Sequence, residues 1–277
     1  MTNWVEIDRL AKLWVKEAGS RIKESMQEGL SIETKSNPND LVTNIDKETE
    51  RFFIEKIQST FSDHHILGEE GQGEEVTSLD GIVWIIDPID GTMNFVHQKR
   101  NFAISIGIFE HGVGKIGLIY DVIHDELYHA VKGEGAYMND TLLPPLKDVT
   151  IEKAIVGINP TWAIESPHFD AKPFARLVRD VRGTRTIGSA ALELAYIASG
   201  RSDAYVTLRL APWDYAAGCV LLDEVGAVYS NIHGERLTFL EKNSIVAGNR
   251  SVCEKILHDY IKGSGNKNKQ HHFMRMK

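Results

Sequence analysis

Two aspartates stand three residues apart directly after an apolar run, in Asp87-Pro88-Ile89-Asp90-Gly91-Thr92. The run before them, Ile82 to Ile86, predicts a buried strand that ends at the first acid. Carboxylates and a backbone carbonyl between them are the oxygen ligands that Mg²⁺ takes together with a substrate phosphate. An ordinary polar turn is the alternative, but two like charges beside an apolar strand repel each other unless a cation joins them. The segment therefore predicts a site where divalent metals meet a phosphate, with the N–H groups of Gly91 and Thr92 facing the anion.

Three further segments have the chemistry of partners to this motif. Ile66-Leu67-Gly68-Glu69-Glu70 places an acid pair after a short apolar run, as a second strand end would. Asp214 opens a predicted helix, so it is either a metal ligand or a first-turn acid that the helix dipole stabilises. Gly188-Ser189-Ala190 is a glycine-to-helix junction whose N–H groups can bind an anionic or hydroxylated ligand. Acids from separate elements make an Asp/Glu-only site, which suits Mg²⁺ or Mn²⁺ and not zinc.

The N-terminal third must position one more acid, Asp46. Apolar residues at helical spacing predict a first helix from about Trp4 to Met26. A polar segment, Glu33 to Asp40, is typical of a loop. Thr43 then caps a second helix that reaches Ser59, and Asp46 stands three residues later, as in a capping box. On the residues alone, Asp46 could simply be an acid that the helix dipole favours.

The rest of the chain predicts an α/β layered fold with two sheets. Short apolar and β-branched runs between Asp63 and Met138 predict an antiparallel meander. After Pro160, helical and strand patterns alternate, which favours a layered fold over a purely parallel doubly wound sheet.

Two patterns resemble binding motifs without the context that such motifs need. Gly112 to Gly117 matches G-x-G-x-x-G, but it connects two predicted strands and opens no helix, so we expect a hairpin turn. His124 and His129 would point to opposite faces of an extended strand, which argues against a shared metal.

Composition limits the class of protein. The chain has 277 residues, of which 42% are hydrophobic and 25% charged, and its net charge is −8. An acidic chain lacks the basic footprint of general nucleic-acid binding. The apolar run at the central motif is far too short to cross a membrane, and no basic segment followed by an apolar one begins the chain. We therefore expect a cytoplasmic protein that binds neither nucleic acid nor membrane, with Cys219 and Cys253 as small core residues.

The last sixteen residues differ from the rest, because they carry five basic residues and no acid. Their Gly, Ser, Asn, Lys and His content predicts a disordered basic tail over 262–277. The catalytic domain then covers 1–261.

In combination, these segments resemble the inositol monophosphatase family. The first family signature matches Asp87 to Thr92 with Asn94-Phe95-Val96-His97, and the second matches Trp213-Asp214 through Gly226-Ala227. Two upstream motifs match Gly68-Glu69-Glu70 and Asp40 through Asp46. The resemblance runs from the first helix to about residue 260. It implies a layered αβαβα fold, lithium-sensitive Mg²⁺-dependent hydrolysis of a phosphate monoester, and a homodimer.

The resemblance also implies roles for individual residues. Glu69, Asp87 and the carbonyl of Ile89 would hold a first metal, and Asp87, Asp90 and Asp214 a second, with Glu69 sharing a third. Thr92, bonded to Asp46, would orient the attacking water, while Lys35 falls near a loop over the metals. The expected catalytic residues are thus Glu69, Thr92 and Asp46. Substrate contacts are expected from Asp90, Gly91, Thr92, Gly188, Ser189, Ala190, Thr207 and Arg209.

The substrate that the family implies is inositol 1-phosphate, but this chain departs from the family pattern near the second signature. Thr207 stands where an acid commonly contacts a substrate hydroxyl, and Arg209 adds a positive charge. Arg209 is either a solvated strand residue or a contact for a second phosphate. In the second case NADP or fructose 1,6-bisphosphate becomes the alternative substrate. A reading of another class is a transcription-associated binding protein that acts through its surface or tail.

Overall fold

A computed structural model of the chain describes residues 2–27, 32–34, 41–73 and 75–262. The helices within these ranges are α1 (Trp4–Ser25), α2 (Asn44–Thr60), α3 (Thr92–Gln98), α4 (Lys172–Asp180), α5 (Ala190–Ala198), α6 (Pro212–Glu224) and α7 (Arg250–Lys255), the last continuing as a π-helix over Ile256–Lys262. The strands are β1 (Ile32–Thr34), β2 (Leu41–Thr43), β3 (His65–Gly68), β4 (Ile82–Asp90), β5 (Ala103–Glu110), β6 (Val113–Asp121), β7 (Glu126–Val131), β8 (Ala136–Met138), β9 (Thr141–Leu142), β10 (Ile155–Ile158), β11 (Gly183–Arg185), β12 (Ala204–Leu210), β13 (Val228–Ser230) and β14 (Asn243–Gly248).

The strands form two large sheets and one small hairpin. The larger sheet has seven strands in the order β3-β4-β5-β6-β7-β8-β9, antiparallel from β4 onward, with β3 parallel to β4. The second sheet has five strands in the order β11-β10-β12-β14-β13. β1 and β2 pair with each other as an antiparallel hairpin.

Three apolar cores stack the sheets and helices into five layers. α1 and α2 bury Trp14, Phe53 and Ile57 against one face of the seven-stranded sheet. α5 and α6 fill the space between the two sheets, where Leu192 and Leu221 are fully buried. α4 and α7 cover the outer face of the five-stranded sheet. This arrangement is the predicted αβαβα sandwich with two sheets, which is therefore confirmed.

The predicted N-terminal helices are also confirmed, because α1 ends one residue before the predicted limit and α2 begins after its Thr43 cap. The meander is confirmed in β5 to β8, and His111-Gly112 forms a two-residue turn between β5 and β6. The remaining glycines of that segment, Gly114 and Gly117, lie in β6 where α6 packs closely, so they serve packing and not nucleotide binding.

Other local predictions were wrong. The predicted loop at Glu33 and Thr34 is a strand, because these residues pair with Val42 and Leu41. α3 and the strands β10 and β11 were not predicted, since each is too short to show a clear period. Lys35 lies outside the described residues.

The last helix ends at Lys262. The division of the chain into a domain over 1–261 and a tail over 262–277 stays a prediction. Residues 263–277 of the predicted tail lie outside the described ranges. Among the helices that the structure describes, none has both the length and the apolar composition required to span a bilayer.

Candidate metal and phosphate site

The end of β4 places its two aspartates on one face of the sheet. Asp87 pairs with Ser105 and Asp90 with Ala103, so three steps along β4 match two along β5. This extra residue is a β-bulge at Pro88, which has no N–H to donate to the ladder. In a regular strand, residues three apart point to opposite faces; the bulge turns Asp90 to the side of Asp87.

A third acid completes a cluster at this strand end. Oxygen atoms of Asp87, Asp90 and Asp214 lie within 4.8 Å of one another. Asp214 stands in the first turn of α6, where its Oδ2 accepts the N–H of Ala211 at 2.8 Å. The carboxylate is thereby fixed at the helix N-terminus, whose dipole favours a negative charge.

Glu69 approaches the cluster from β3. Because β3 is parallel to β4, its carboxyl end lies beside that of β4, and the Glu69 N–H donates to the carbonyl of Ile86 at 3.1 Å. Burial is the main cause that raises the pKa values of Asp46, Asp87, Asp90 and Asp214, and the negative charge of Glu69 adds to the rise in each. Five acids, from α2, the end of β3, β4 and α6, therefore share one electrostatic environment.

Burial and mutual repulsion dominate that environment. Burial, followed by the charges of Glu69 and Asp90, raises the pKa of Asp87 well above its usual value. Burial and then Asp90 do the same to the pKa of Asp214. The pKa of Asp90 rises to about 6 through burial, offset by hydrogen bonds from Ser189 and Ala191. Within the described ranges no salt bridge reaches Asp87, Asp90 or Asp214. A bound cation would relieve this repulsion.

The N-terminus of α5 holds Asp90. The Ser189 hydroxyl donates to Asp90 Oδ2, and the N–H of Ala191 donates to the same oxygen at 2.7 Å. Ser189 is 2% exposed and also caps α5 by accepting the N–H of Leu192 at 3.2 Å. The sequence assigned this junction to the substrate; in the structure its hydroxyl is bonded to a carboxylate of the cluster.

Asp46 and Thr92 meet as the sequence predicted. The Thr92 hydroxyl lies 3.2 Å from Asp46 Oδ1 and 3.1 Å from the carbonyl oxygen of Ile89. Asp46 closes the capping box, since its Oδ2 accepts the N–H of Thr43 at 2.8 Å. Asp46 therefore caps α2 and also fixes the Thr92 hydroxyl. The two interpretations of Asp46, as an acid that stabilises a helix and as a partner of Thr92, apply together.

The two glycine junctions lie against each other. Gly91 has a positive φ of 95°, and a β-carbon there would come within 3.1 Å of the Gly188 carbonyl oxygen. The start of α3 and the loop before α5 consequently form one continuous wall of the site.

The last strand of the site, β12, carries the two residues that depart from the family pattern. Thr207 is buried at 4% exposure and lies on the same face of β12 as Tyr205, two residues before it. The pKa of Tyr205 is raised, mainly by burial and then by the charges of Glu193 and Asp90. Arg209 is exposed at a register shift between Thr207 and Leu210. Within the described part of the chain it makes no ion pair or hydrogen bond.

Sequence reasoning missed three buried polar residues around the site. Glu50 contacts the Glu69 loop, Glu193 bonds the N–H of Ile187 at 2.8 Å, and Asn94 bonds the Ile187 carbonyl at 2.8 Å. A signal existed for both glutamates. Glu50 follows Asp46 by one helical turn on the apolar face of α2, and Glu193 is the one charged residue in an otherwise apolar helix.

Fold and site together define a class: α/β proteins with two stacked sheets, in which acidic side chains from separate elements converge beside a glycine-rich wall and could hold a metal ion. The chain belongs to the inositol monophosphatase family, whose sequence model matches residues 3–263. This family is metal-dependent.

Individual relatives support the assignment over nearly the whole chain. The inositol-1-monophosphatase of Bacillus subtilis (strain 168) is 68% identical over 94% of this chain and 98% of its own. Two solved structures of SaIMPase-II, an inositol monophosphatase of Staphylococcus aureus, are 44% identical to this chain. The one with 2'AMP bound has a TM-score of 0.89 and covers 98% of this chain and all of its own. The one with inositol monophosphate bound has a TM-score of 0.85 and covers 94% of this chain and 96% of its own. An IMPase/NADP phosphatase complexed with Mg²⁺ and phosphate has a TM-score of 0.85 at 27% identity, covering 92% and 95%.

Proposed function

We propose that this chain is a Mg²⁺-dependent phosphomonoesterase that hydrolyses inositol 1-phosphate to inositol and phosphate. The observation that carries the proposal is the cluster of Asp87, Asp90 and Asp214 oxygens within 4.8 Å, directly beside the Thr92–Asp46 pair. The relative at 68% identity is named for this activity, and a neighbouring structure binds inositol monophosphate.

The residues fit Mg²⁺ by their chemistry, because every donor is a carboxylate or carbonyl oxygen and the acids repel one another without a cation. Glu69, Asp87 and the carbonyl of Ile89 would hold one ion, and Asp87, Asp90 and Asp214 a second. A third, weaker ion at Glu69 and replacement by Mn²⁺ belong to the same proposal. When bound, such ions stabilise the entering and leaving oxygens of phosphate transfer and lower the pKa of water.

The protein itself supplies orientation. The Thr92 hydroxyl has one proton and two acceptors within reach, Asp46 and the Ile89 carbonyl. Because that carbonyl would hold a metal ion, we assign the proton to Asp46, and the hydroxyl oxygen is left to accept a hydrogen bond from the attacking water. The N–H groups of Gly91 and Thr92 begin a helix and have no intrahelical partner, which lets them donate to phosphate oxygens. No covalent intermediate on a side chain is needed.

The substrate's alcohol would face α5 and β12. Gly188, Ala190 and Thr207 contribute to this side of the site, while Ser189 acts through the carboxylate of Asp90 that it bonds. Thr207 offers a neutral hydroxyl where the family commonly has an acid, so discrimination among alcohols depends more on shape and less on a charged acceptor.

A second candidate activity is hydrolysis of a phosphate monoester that carries a further anionic group. NADP, hydrolysed at its 2'-phosphate, and fructose 1,6-bisphosphate are such substrates. Two observations favour it. The side chain of Arg209 is exposed with no partner among the described residues, which favours an additional anionic group, and the related SaIMPase-II binds 2'AMP, which favours a nucleotide 2'-phosphate.

A phosphate-release panel tests both proposals. Inositol 1-phosphate, NADP and fructose 1,6-bisphosphate are each incubated with Mg²⁺, with Mg²⁺ and lithium, and with EDTA. We expect the highest turnover on inositol 1-phosphate, inhibition by lithium and no release in EDTA. Release that persists in EDTA would contradict the metal-dependent mechanism.

The homodimer and the cytoplasmic location stay predictions, and light scattering of the purified chain tests the first. A transcription-associated binding role would require an effect of deleting residues 262–277 that spares phosphate release.

A further inference from the structure

A buried glutamate lies under the loop that carries Glu69. Glu50 is 0% exposed on α2, one helical turn after Asp46 and on the same face of the helix. Burial of a carboxylate is costly unless hydrogen bonds compensate for the lost hydration, so its contacts must account for its presence.

Both oxygens of Glu50 accept backbone N–H groups from the loop after β3. Oε2 accepts the N–H of Glu70 at 2.7 Å, and Oε1 accepts that of Gln72 at 2.8 Å. The Gln72 amide also donates to the carbonyl of Lys47 at 2.9 Å. The loop is therefore tied to α2 on the far side of Glu69.

The near side of Glu69 is fixed by the sheet, through the hydrogen bond from its N–H to Ile86. Gly68, the residue before it, lies directly over the Glu50 carboxylate. A β-carbon at position 68 would come within 3.0 Å of Glu50 Oε1 and closer still to its other carboxylate atoms. An alanine at position 68 would therefore displace the Glu50 carboxylate from this position.

We propose that Glu50 is a positioning residue, which holds the backbone that follows Glu69 while the sheet holds the backbone at Glu69 itself, so that the Glu69 carboxylate faces Asp87. The inference rests on the proposed metal-dependent function. In this proposal α2 positions two parts of the site. Asp46 accepts the Thr92 hydroxyl, and Glu50 accepts an N–H of the loop that carries Glu69.

The test measures Mn²⁺ binding without substrate, by calorimetry and electron paramagnetic resonance, for the full chain and three variants. Glu50→Gln keeps the shape but has one acceptor oxygen, so its amide group meets one of the two N–H donors. Gly68→Ala displaces the carboxylate without changing any charge. Glu55→Gln on the exposed face of α2 is the matched control.

We expect Glu50→Gln and Gly68→Ala to weaken Mn²⁺ binding by about tenfold or more, as loss of outer partners of metal ligands does. Glu55→Gln should bind as the unmodified chain does. A purely structural role would lower the melting temperature and leave Mn²⁺ affinity unchanged, and that result would overturn the proposal. If Glu50→Gln does not fold, Gly68→Ala decides alone.

Failure of the proposed function has a different signature. An unmodified chain that binds Mn²⁺ but releases no phosphate would refute the enzyme and leave the positioning role of Glu50 intact.

Discussion

On both sides of the site, a buried glutamate accepts backbone N–H groups from a loop that positions a carboxylate of the site, but the two sides differ in the number of these N–H groups. On the α2 side, Glu50 accepts two backbone N–H groups from the loop of Glu69. On the α5 side, Glu193 accepts one, from Ile187, in the loop that leads to Ser189 and Asp90. Burial then raises the pKa of Glu193 to about 7. Among the described residues Glu193 has this one hydrogen-bond donor, so its burial is poorly compensated and we expect the stability of the fold to depend on its protonation.

The largest expected effect is at Asp90, the carboxylate that the N-terminus of α5 holds. Asp90→Asn removes one charge from the proposed cation site and keeps the side-chain shape. Bound metals contribute several kcal/mol to the transition state, so we expect turnover on inositol 1-phosphate to fall on the order of a thousandfold.

Phosphate release at saturating Mg²⁺ measures this loss, and circular dichroism checks that the fold is intact. Asp63→Asn, at an exposed position before β3, is the control. Undiminished turnover of Asp90→Asn would refute the assignment of the site.

The next effect examines the α2 side, where Asp46 and Thr92 form one hydrogen-bonded unit. Each single change, Asp46→Asn or Thr92→Ala, should lower kcat/KM by about a hundredfold, the lower end of what a positioned proton acceptor contributes. The double variant should lose little more than either single one, because both remove the same water orientation.

The measurement is a double-mutant cycle in kcat/KM with inositol 1-phosphate. Fully additive losses would mean that the two residues act separately, contrary to the proposed unit.

The acids whose substitution should matter most are also those that the sequence identifies most clearly. Asp87, Asp90 and Asp214 stood at element ends, where a charge beside an apolar run is conspicuous, and the structure brings them together. The β-bulge at Pro88 was not predicted, since register depends on the pairing of β4 with β5.

Glu50 and Glu193 were missed for a related reason. A glutamate on the apolar face of a helix signals burial, but the sequence does not say what it contacts, and only packing reveals that these two face loops from other parts of the chain. The resemblance to the family supplied roles for single residues, whereas the contacts that hold those residues came from the fold.

A smaller effect is expected on stability, and it tests whether the one hydrogen bond from Ile187 leaves the burial of Glu193 poorly compensated. Its pKa is raised from 4.5 to about 7 in the folded protein, first by burial, with the hydrogen bond from Ile187 opposing and the charge of Asp90 adding to the rise. Below pH 4.5 the group is protonated in both states and changes nothing. Between about pH 4.5 and 7 the unfolded chain releases the proton that the folded chain keeps, so the folded state loses stability as pH rises.

Glu193→Gln removes this loss and keeps an acceptor for the Ile187 N–H. Relative to the unmodified chain, the variant should gain about 2 kcal/mol in free energy of unfolding between pH 5 and 8. Urea unfolding in EDTA measures the gain, and Glu134→Gln, at an exposed position, should show none. A pH-independent difference would show that the pKa of Glu193 is not raised by folding.

The smallest effect concerns substrate choice at β12, the outer edge of the α5 side. Arg209 is exposed, and an exposed ionic contact contributes at most about 1 kcal/mol, so Arg209→Ala should lower kcat/KM by about threefold and only for NADP or fructose 1,6-bisphosphate. Turnover of inositol 1-phosphate should stay unchanged, since its single phosphate is proposed to bind at Gly91 and Thr92. Arg179→Ala, another exposed arginine, controls for the loss of a surface charge. Equal losses on all three substrates would mean that Arg209 steers anions in general, and the choice of substrate would then lie with Thr207 and the α5 loop.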